Sequence, residues 1–389
     1  MLRWLGLVCL PVMLAACGGG NSSSPPTNVI ATSGDSQVTL SWNGEAGVEY
    51  WVFYAPDATI SPSNFVSVAG SKVIRNASNP QIVLLLNNGT TYWFTINGRT
   101  NNGPGGSGTP VVSAIPRAAG SVWTLGAALG AGNLNGVAVG TAGYVAVGAG
   151  GAIFSSTDAL TWSTQNSGVT NDLNAVAFVN GVYVAVGANG ITLRSTDAKT
   201  WTAVVAGNQT LYGVAPQGNG FIAAGAAGTL VTSPDGTAWT AQSSGTTANL
   251  RRVIVGNAVY VAVGDGGTIV SSTDLVTWTA RAAGTSATLR SVAYGLGRFV
   301  AVGDQGVITT SVDALTWTLS VVPAADTLNA VAVGSQFVAA GINGRILTST
   351  DGLTWLVATS GTAGTIFGLA GSGTSYVAVG AAGLNLVSF

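Results

Sequence analysis

Seven tryptophans, Trp123, Trp162, Trp201, Trp239, Trp278, Trp317 and Trp355, recur at steps of 38 or 39 residues, and no other feature restricts the folding of this chain so tightly. Two further markers keep the step. One is an aromatic that opens a "YVAVG"-like stretch: Tyr144, Tyr183, Phe221, Tyr260, Phe299, Phe337 and Tyr376. The other is Leu134, Leu173, Leu211, Leu250, Leu289, Leu328 and Ile366, each opening a run of small residues. Three markers in register define a repeat array, whose units bury their apolar faces only against their neighbours.

Each unit parses as four short strands: A "LNAVAV", B "YVAVG", C "GxIxxS", and D beginning at the Trp. Four antiparallel strands in a unit of this length predict an all-β chain whose residues 121–389 form a seven-bladed β-propeller. Strand B is apolar throughout, as expected where both faces of a blade are covered. The glycine pair in "VGAGG" is expected to give the B–C turn its positive φ. The seventh unit stops at Phe389, whereas Trp123 opens a strand D with no A, B or C before it. The N-terminal strand "SVWTLGA" is therefore expected to complete the last blade and close the ring, removing two exposed edges.

Six units carry Ser-x-Asp before the Trp: Asp158, Asp197, Asp235, Asp274, Asp313 and Asp351. Carboxylate and hydroxyl should accept backbone N–H bonds and set the C–D turn, while the Trp packs between sheets. These turns resemble the Asp-box of bacterial neuraminidase repeats, although Gly follows Asp only at Gly236 and Gly352. One carboxylate per blade lies too far from the next to share an ion, so their expected role is structural and no metal or cofactor is expected. A sialidase resemblance would imply an arginine triad, a Tyr–Glu nucleophile pair and an Asp acid. The last Glu is Glu49 and the chain has no His, so a sialidase-like carbohydrate-active enzyme ranks behind a non-enzymatic role.

The copies differ most in two places. After the strand-A marker stand Asn135, Asn174, Tyr212, Arg251, Arg290, Asn329 and Phe367; in the B–C turn, Asp265 and Asp304 replace Ala or Ile. Arg251, Arg252, Arg290, Asp265 and Asp304 should cluster at the channel mouth, either as cross-blade ion pairs or as a recognition spot for a polar or anionic ligand. Tyr212 and Phe367 would add stacking surface or plug the channel.

Over residues 121–389 the units also resemble the seven-bladed photosystem II assembly and stability factor family, through the sentence "GxxGxIxxSxDGxxW". That resemblance implies a rigid, non-enzymatic disc that docks proteins.

Residues 28–116 read differently. "SQVTLSWNG" places Val38, Leu40 and Trp42 on one face, and "VEYWVFYAP" and "TTYWFTINGRT" are further strands. The pattern resembles a fibronectin type III sandwich, in which Trp42 is the core Trp and Tyr92 the corner Tyr bonded to upstream backbone. Its implied role is spacing or weak adhesion.

At the N-terminus, Arg3 precedes an apolar stretch too short to span a membrane. Leu14-Ala15-Ala16-Cys17 resembles the bacterial lipobox, which implies a signal peptide over residues 1–16 and lipidation of Cys17. Gly18 then favours the outer membrane, and residues 17–27, "CGGGNSSSPPT", read as a flexible tether. Charged residues make up 7% of the chain and net charge is −1, so the basic footprint of a nucleic-acid binder is missing. The expected protein is a monomer held to the envelope by its lipid. Its propeller docks a protein or glycan or, alternatively, it serves as an assembly or stability factor for a membrane complex.

Overall fold

The computed structural model describes residues 21–389, apart from 102, 131, 321, 323, 324 and 374. The expected signal peptide 1–16 and Cys17 lie outside the described residues. The chain divides after Arg117 into two units.

The first unit has two antiparallel sheets. Thr27–Gly34, Gln37–Asn43 and Gln81–Val83 form one; Asn21–Ser23, Tyr92–Thr100, Glu49–Ala55 and Lys72–Ile74 form the other, with Val112–Ala114 paired to Tyr92–Thr100. Alternation along Gln37–Asn43 buries Val38, Leu40 and Trp42 against Val52, Tyr54, Phe94 and Ile96 of the second sheet. The Tyr92 hydroxyl accepts the backbone N–H of Asn87 at 3.3 Å, the upstream bond expected of that tyrosine. One expectation fails. Asn21–Ser23, read as tether, pairs with Gly98, Arg99 and Thr100. A polar extended backbone carries the same N–H and C=O groups as any strand, and an open sheet edge takes them.

The second unit contains, among the described residues, seven four-stranded antiparallel sheets. The first is Leu134–Gly140, Gly143–Gly148, Ile153–Ser156 and Ser163–Gln165, and the next five repeat it. The seventh takes Ile366–Gly371, Tyr376–Gly380 and Asn385–Ser388 from the C-terminus and Thr124–Leu125 from the start of the unit, with Leu386 opposite Leu125. Trp123 is buried beside them against Tyr376 and donates its indole N–H to the Gly120 carbonyl at 2.8 Å.

Seven apolar clusters join these sheets pairwise. Val145 and Val147 pack with Leu173 and Tyr183 of the second sheet. Ala146, on the other face of that strand, packs with Val377 and Val379 of the seventh. Every second strand is therefore apolar on both faces, as its sequence requires. The inner strands touch around the same circuit, that of the seventh sheet against that of the first.

A short 3-10 turn links the second and third strands of each sheet. Only the second glycine of the expected pair is needed there. Gly151 has φ 74° and a Cβ on it would lie 2.1 Å from the Val169 carbonyl oxygen. The preceding position also has positive φ but is occupied by Asn189, Ala227, Gln305, Asn343 and Ala382 in five sheets, because open space lets a side chain bear the mild strain.

Candidate functional site

Each sheet has two functionally different ends. At one, in the first six sheets, the turn after the third strand is built by the Ser-x-Asp residues. Asp158 accepts the N–H groups of Leu160 and Thr161 at 2.9 and 2.7 Å, and Ser156 Oγ accepts those of Asp158 and Ala159. The bonds from Thr161 and Leu160 hold the Asp158 carboxyl below its usual pKa, and Asp274, Asp313 and Asp351 are held down in the same way. The Trp162 indole N–H closes the turn on the Ala159 carbonyl. These side chains are spent on their own backbone.

At the opposite end the inner strand begins with a bulge. The register slips between Leu134 and Gly136, and likewise in the other six sheets. The extra residue stands outside the ladder, where its side chain is free to take another task. In three sheets it is Asn, which reaches the next sheet: Asn135 donates to the Leu173 carbonyl at 2.9 Å, Asn174 to Leu211 at 2.8 Å, and Asn329 to Ile366 at 2.9 Å. Tyr212, Arg251, Arg290 and Phe367 replace that stitch elsewhere.

Tyr212, Arg251 and Arg290 lie on three consecutive sheets and form one arc. The Arg251 guanidinium meets Asp265 through two bonds, Nε–Oδ1 at 2.7 Å and Nη2–Oδ2 at 3.0 Å, and sits 4.8 Å from the Tyr212 ring centre. Asn249 adds a bond to Asp265 at 2.8 Å. Arg290 pairs with Asp304 one sheet on, through a single Nε–Oδ1 bond. Partial burial would raise the Asp265 pKa, but bonds from Arg251 and Asn249 and the charges of Arg251 and Arg290 together hold it below the usual range. The bond from Asp265 raises the Arg251 pKa, with the charge of Asp304 contributing. The four charges thus feel one another as a single alternating patch.

Two expectations, the cross-sheet ion pairs and the part of Arg252 in the cluster, need correction. The ion pairs do not cross between sheets: the bulge residue and the first residue of the 3-10 turn belong to one sheet, because Leu250 is paired with Gly264 and Leu289 with Gly303. Phe367 holds the same bulge position on the seventh sheet, with the sixth sheet between it and Arg290 and the first and second between it and Tyr212 around the circuit. Arg252 has no hydrogen bond or ion pair with another described residue, and neither Asp265 nor Asp304 affects its pKa.

Sequence reasoning also missed a third ion pair. Arg345 and Asp326 meet at 2.7 Å on the sixth sheet, with Asn343 bonded to the same carboxylate. The signal was present: Arg345 follows the turn glycine where the other units carry Ala, Ile, Thr, Val or Leu. Charge pairs therefore mark this end of the fourth, fifth and sixth sheets. All three are about one-third exposed, and solvent screening leaves pairs so placed with little effect on stability.

In the first unit, a cavity of about 630 Å³ is lined by Trp51, Phe53, Phe65, Asn97 and Arg99. Its aromatic floor is already taken, since the Arg99 and Arg75 guanidinium groups lie 3.4 and 4.9 Å from the Trp51 ring centre.

No protein-family profile and no curated protein matches this sequence. Solved structures do match. YCF48 from Cyanidioschyzon merolae is 16% identical with a TM-score of 0.57, covering 69% of this chain and 98% of its own. YCF48 bound to D1 peptide is 17% identical with a TM-score of 0.58, covering 68% and 94%. A catalytically inactive virginiamycin B lyase from Staphylococcus aureus with quinupristin is 10% identical with a TM-score of 0.60, covering 68% and 99%. Identities this low carry the fold and nothing more, and the shared fold is that of the repeated four-stranded sheets: this chain contains a β-propeller that resembles YCF48.

Proposed function

We propose that this protein is a non-enzymatic docking factor of the bacterial envelope, which holds a polypeptide segment of a membrane complex during its assembly or maintenance. The observation that carries this reading is the arc Tyr212–Arg251–Arg290. There the side chains that stitch neighbouring sheets elsewhere are exchanged for a ring and two guanidinium groups at the sheet ends. Such a patch offers alternating charge and guanidinium donors, which suits an extended peptide with carboxylates and backbone carbonyls. The likeness to YCF48 bound to D1 peptide supports the same reading. A peptide is favoured over a glycan because Arg251 already occupies the Tyr212 ring that a sugar would need.

The finer assignments belong to the proposal. The propeller is seven-bladed and closed by Thr124–Leu125, its turns are Asp-boxes, and the first unit is fibronectin type III-like and acts as a spacer. Cys17 carries the lipid and the outer membrane is the site of anchoring. A non-enzymatic role is supported by the use made of the propeller's carboxylates. Asp172 caps the N–H of Gly150, Asp326 pairs with Arg345, and Asp265 and Asp304 are held by arginine, leaving no matched acid and base of the kind proton transfer needs.

The test is capture from cross-linked membranes with the full chain and with Arg251→Asn combined with Arg290→Asn. A stoichiometric membrane-protein complex recovered by the wild type and lost by the variant is expected. Equal recovery by both, or binding to a glycan array with no protein recovered, overturns the reading.

A further inference from the structure

Arg252 is the residue that the docking arc does not use. In register it is equivalent to Gly136, Ala175, Gly213, Ser291, Ala330 and Gly368, each opposite the corresponding residue of the second strand. Small residues stand there for a steric reason. A Cβ on Gly136 would lie 2.9 Å from Ala175 Cα, one on Gly213 3.0 Å from Arg252 Cα, and one on Gly368 3.0 Å from Gly136 Cα. The inner strands leave little room between them at this level. A guanidinium on a three-carbon stem cannot fit between them and must turn toward the axis they surround; its Cδ lies 3.3 Å from where a Gly213 Cβ would be.

The charge found there has no partner. Among the described residues Arg252 makes no hydrogen bond or ion pair. The residue is half-buried, and burial lowers its pKa with no charged neighbour offsetting the effect. These observations place an uncompensated cation beside the crowded inner strands. Arginine does not escape the cost by losing its proton. Arg251, Arg252 and Arg290 are the charged residues of the seven inner strands, and Asp265 and Asp304 are committed to the first and last of them. One positive charge is left over inside the ring.

We infer that the axial channel binds one small monoanion, a halide or a free carboxylate, on the Arg252 guanidinium. The anion supplies the counter-charge that Arg252 lacks. The inference goes beyond peptide docking, which uses the arc outside the channel.

The full chain in detergent tests it by thermal unfolding at constant ionic strength, with chloride or acetate replacing the bulky sulfonate MOPS. The wild-type transition should rise with the logarithm of either anion's concentration, with the slope of a single bound ligand, and ³⁵Cl line broadening should accompany the chloride series. A stronger response to acetate identifies forked carboxylate recognition, a stronger one to chloride a spherical site. Arg252→Ala, which gives this sheet the residue of two others, should unfold higher than wild type in MOPS and respond to neither anion. Arg252→Ser repeats the test with the residue of the next sheet. A flat wild-type series, or an undiminished response in both variants, overturns the inference. Arg251→Asn with Arg290→Asn should keep the anion response whatever becomes of docking.

Discussion

The start of the inner strand in the first, second and sixth sheets can be set against the same position in the third, fourth and fifth. The backbone is alike in both groups, a bulge after the Leu marker. In the first group Asn reaches across and ties one sheet to the next; in the second, Tyr212, Arg251 and Arg290 release that tie and gather charge. One backbone position thus serves either cohesion or recognition, and the side chain decides which. Only a frame already held by seven apolar interfaces can give up hydrogen bonds over a contiguous arc, since each such bond is worth only ~0.5–1.5 kcal/mol.

The comparison breaks most completely if the common frame fails. Deleting residues 121–127 removes Thr124–Leu125 and Trp123 and bares the strand Asn385–Ser388 as an open edge. Loss of a buried Trp alone costs about 3–5 kcal/mol. The expected outcome, read by calorimetry and light scattering, is a much lower transition with aggregation; an unchanged transition would remove the shared frame from the argument.

Next comes the exchange of roles. Arg251→Asn with Arg290→Asn rewrites the recognition arc as a cohesive one. Partner recovery should fall by at least tenfold, the ~1.4 kcal/mol equivalent of losing about one charge-assisted bond, while stability holds or rises. A fall in both would mean that the arc is structural.

Smaller effects separate the two groups by themselves. Asn174→Ala leaves the Leu211 carbonyl without its partner and should cost about 1 kcal/mol in urea unfolding. Arg290→Ala breaks a pair about one-third exposed and should cost less than about 0.5 kcal/mol after allowing for solvent screening. The reverse order would overturn the division of labour.

The smallest difference is in acid. The Asp265 carboxyl has a folded pKa below its unfolded one, so its contribution is complete above the unfolded value near ~3.9 and fades as pH falls through the folded value. The Ser-x-Asp turns follow the same sign. Stability should therefore decline below about pH 4, and Arg251→Asn should decline slightly less steeply than wild type. Parallel acid titrations that superimpose would show that the Arg251–Asp265 pair adds nothing to the folded state.

Much of the molecule was legible in advance because its information is periodic. Strand order, the apolar second strand, the Ser-x-Asp turns and the displaced fourth strand all repeat or visibly fail to repeat. The site was legible only as an anomaly. Arg251, Arg290, Asp265 and Asp304 stood out as departures, but their pairing did not, because the bulge that aligns each Arg with its own sheet's turn leaves no mark in residue spacing. Arg345 follows the turn glycine and its partner Asp326 precedes the inner strand, so neither falls at the positions where the other two pairs depart from the repeat. Asn21–Ser23 looked like linker because composition describes side chains, whereas strand pairing uses backbone.

By itself, then, the sequence determined the unit, its number and its order, since a Trp every 38 or 39 residues admits few ways to pack seven indoles equivalently. The tertiary structure decided which charges cancel and which is left over. Arg251 and Arg252 are neighbours in the chain, yet one is paired and the other stranded. That difference arises from how closely seven inner strands approach one another around an axis, a distance that exists only once they are assembled.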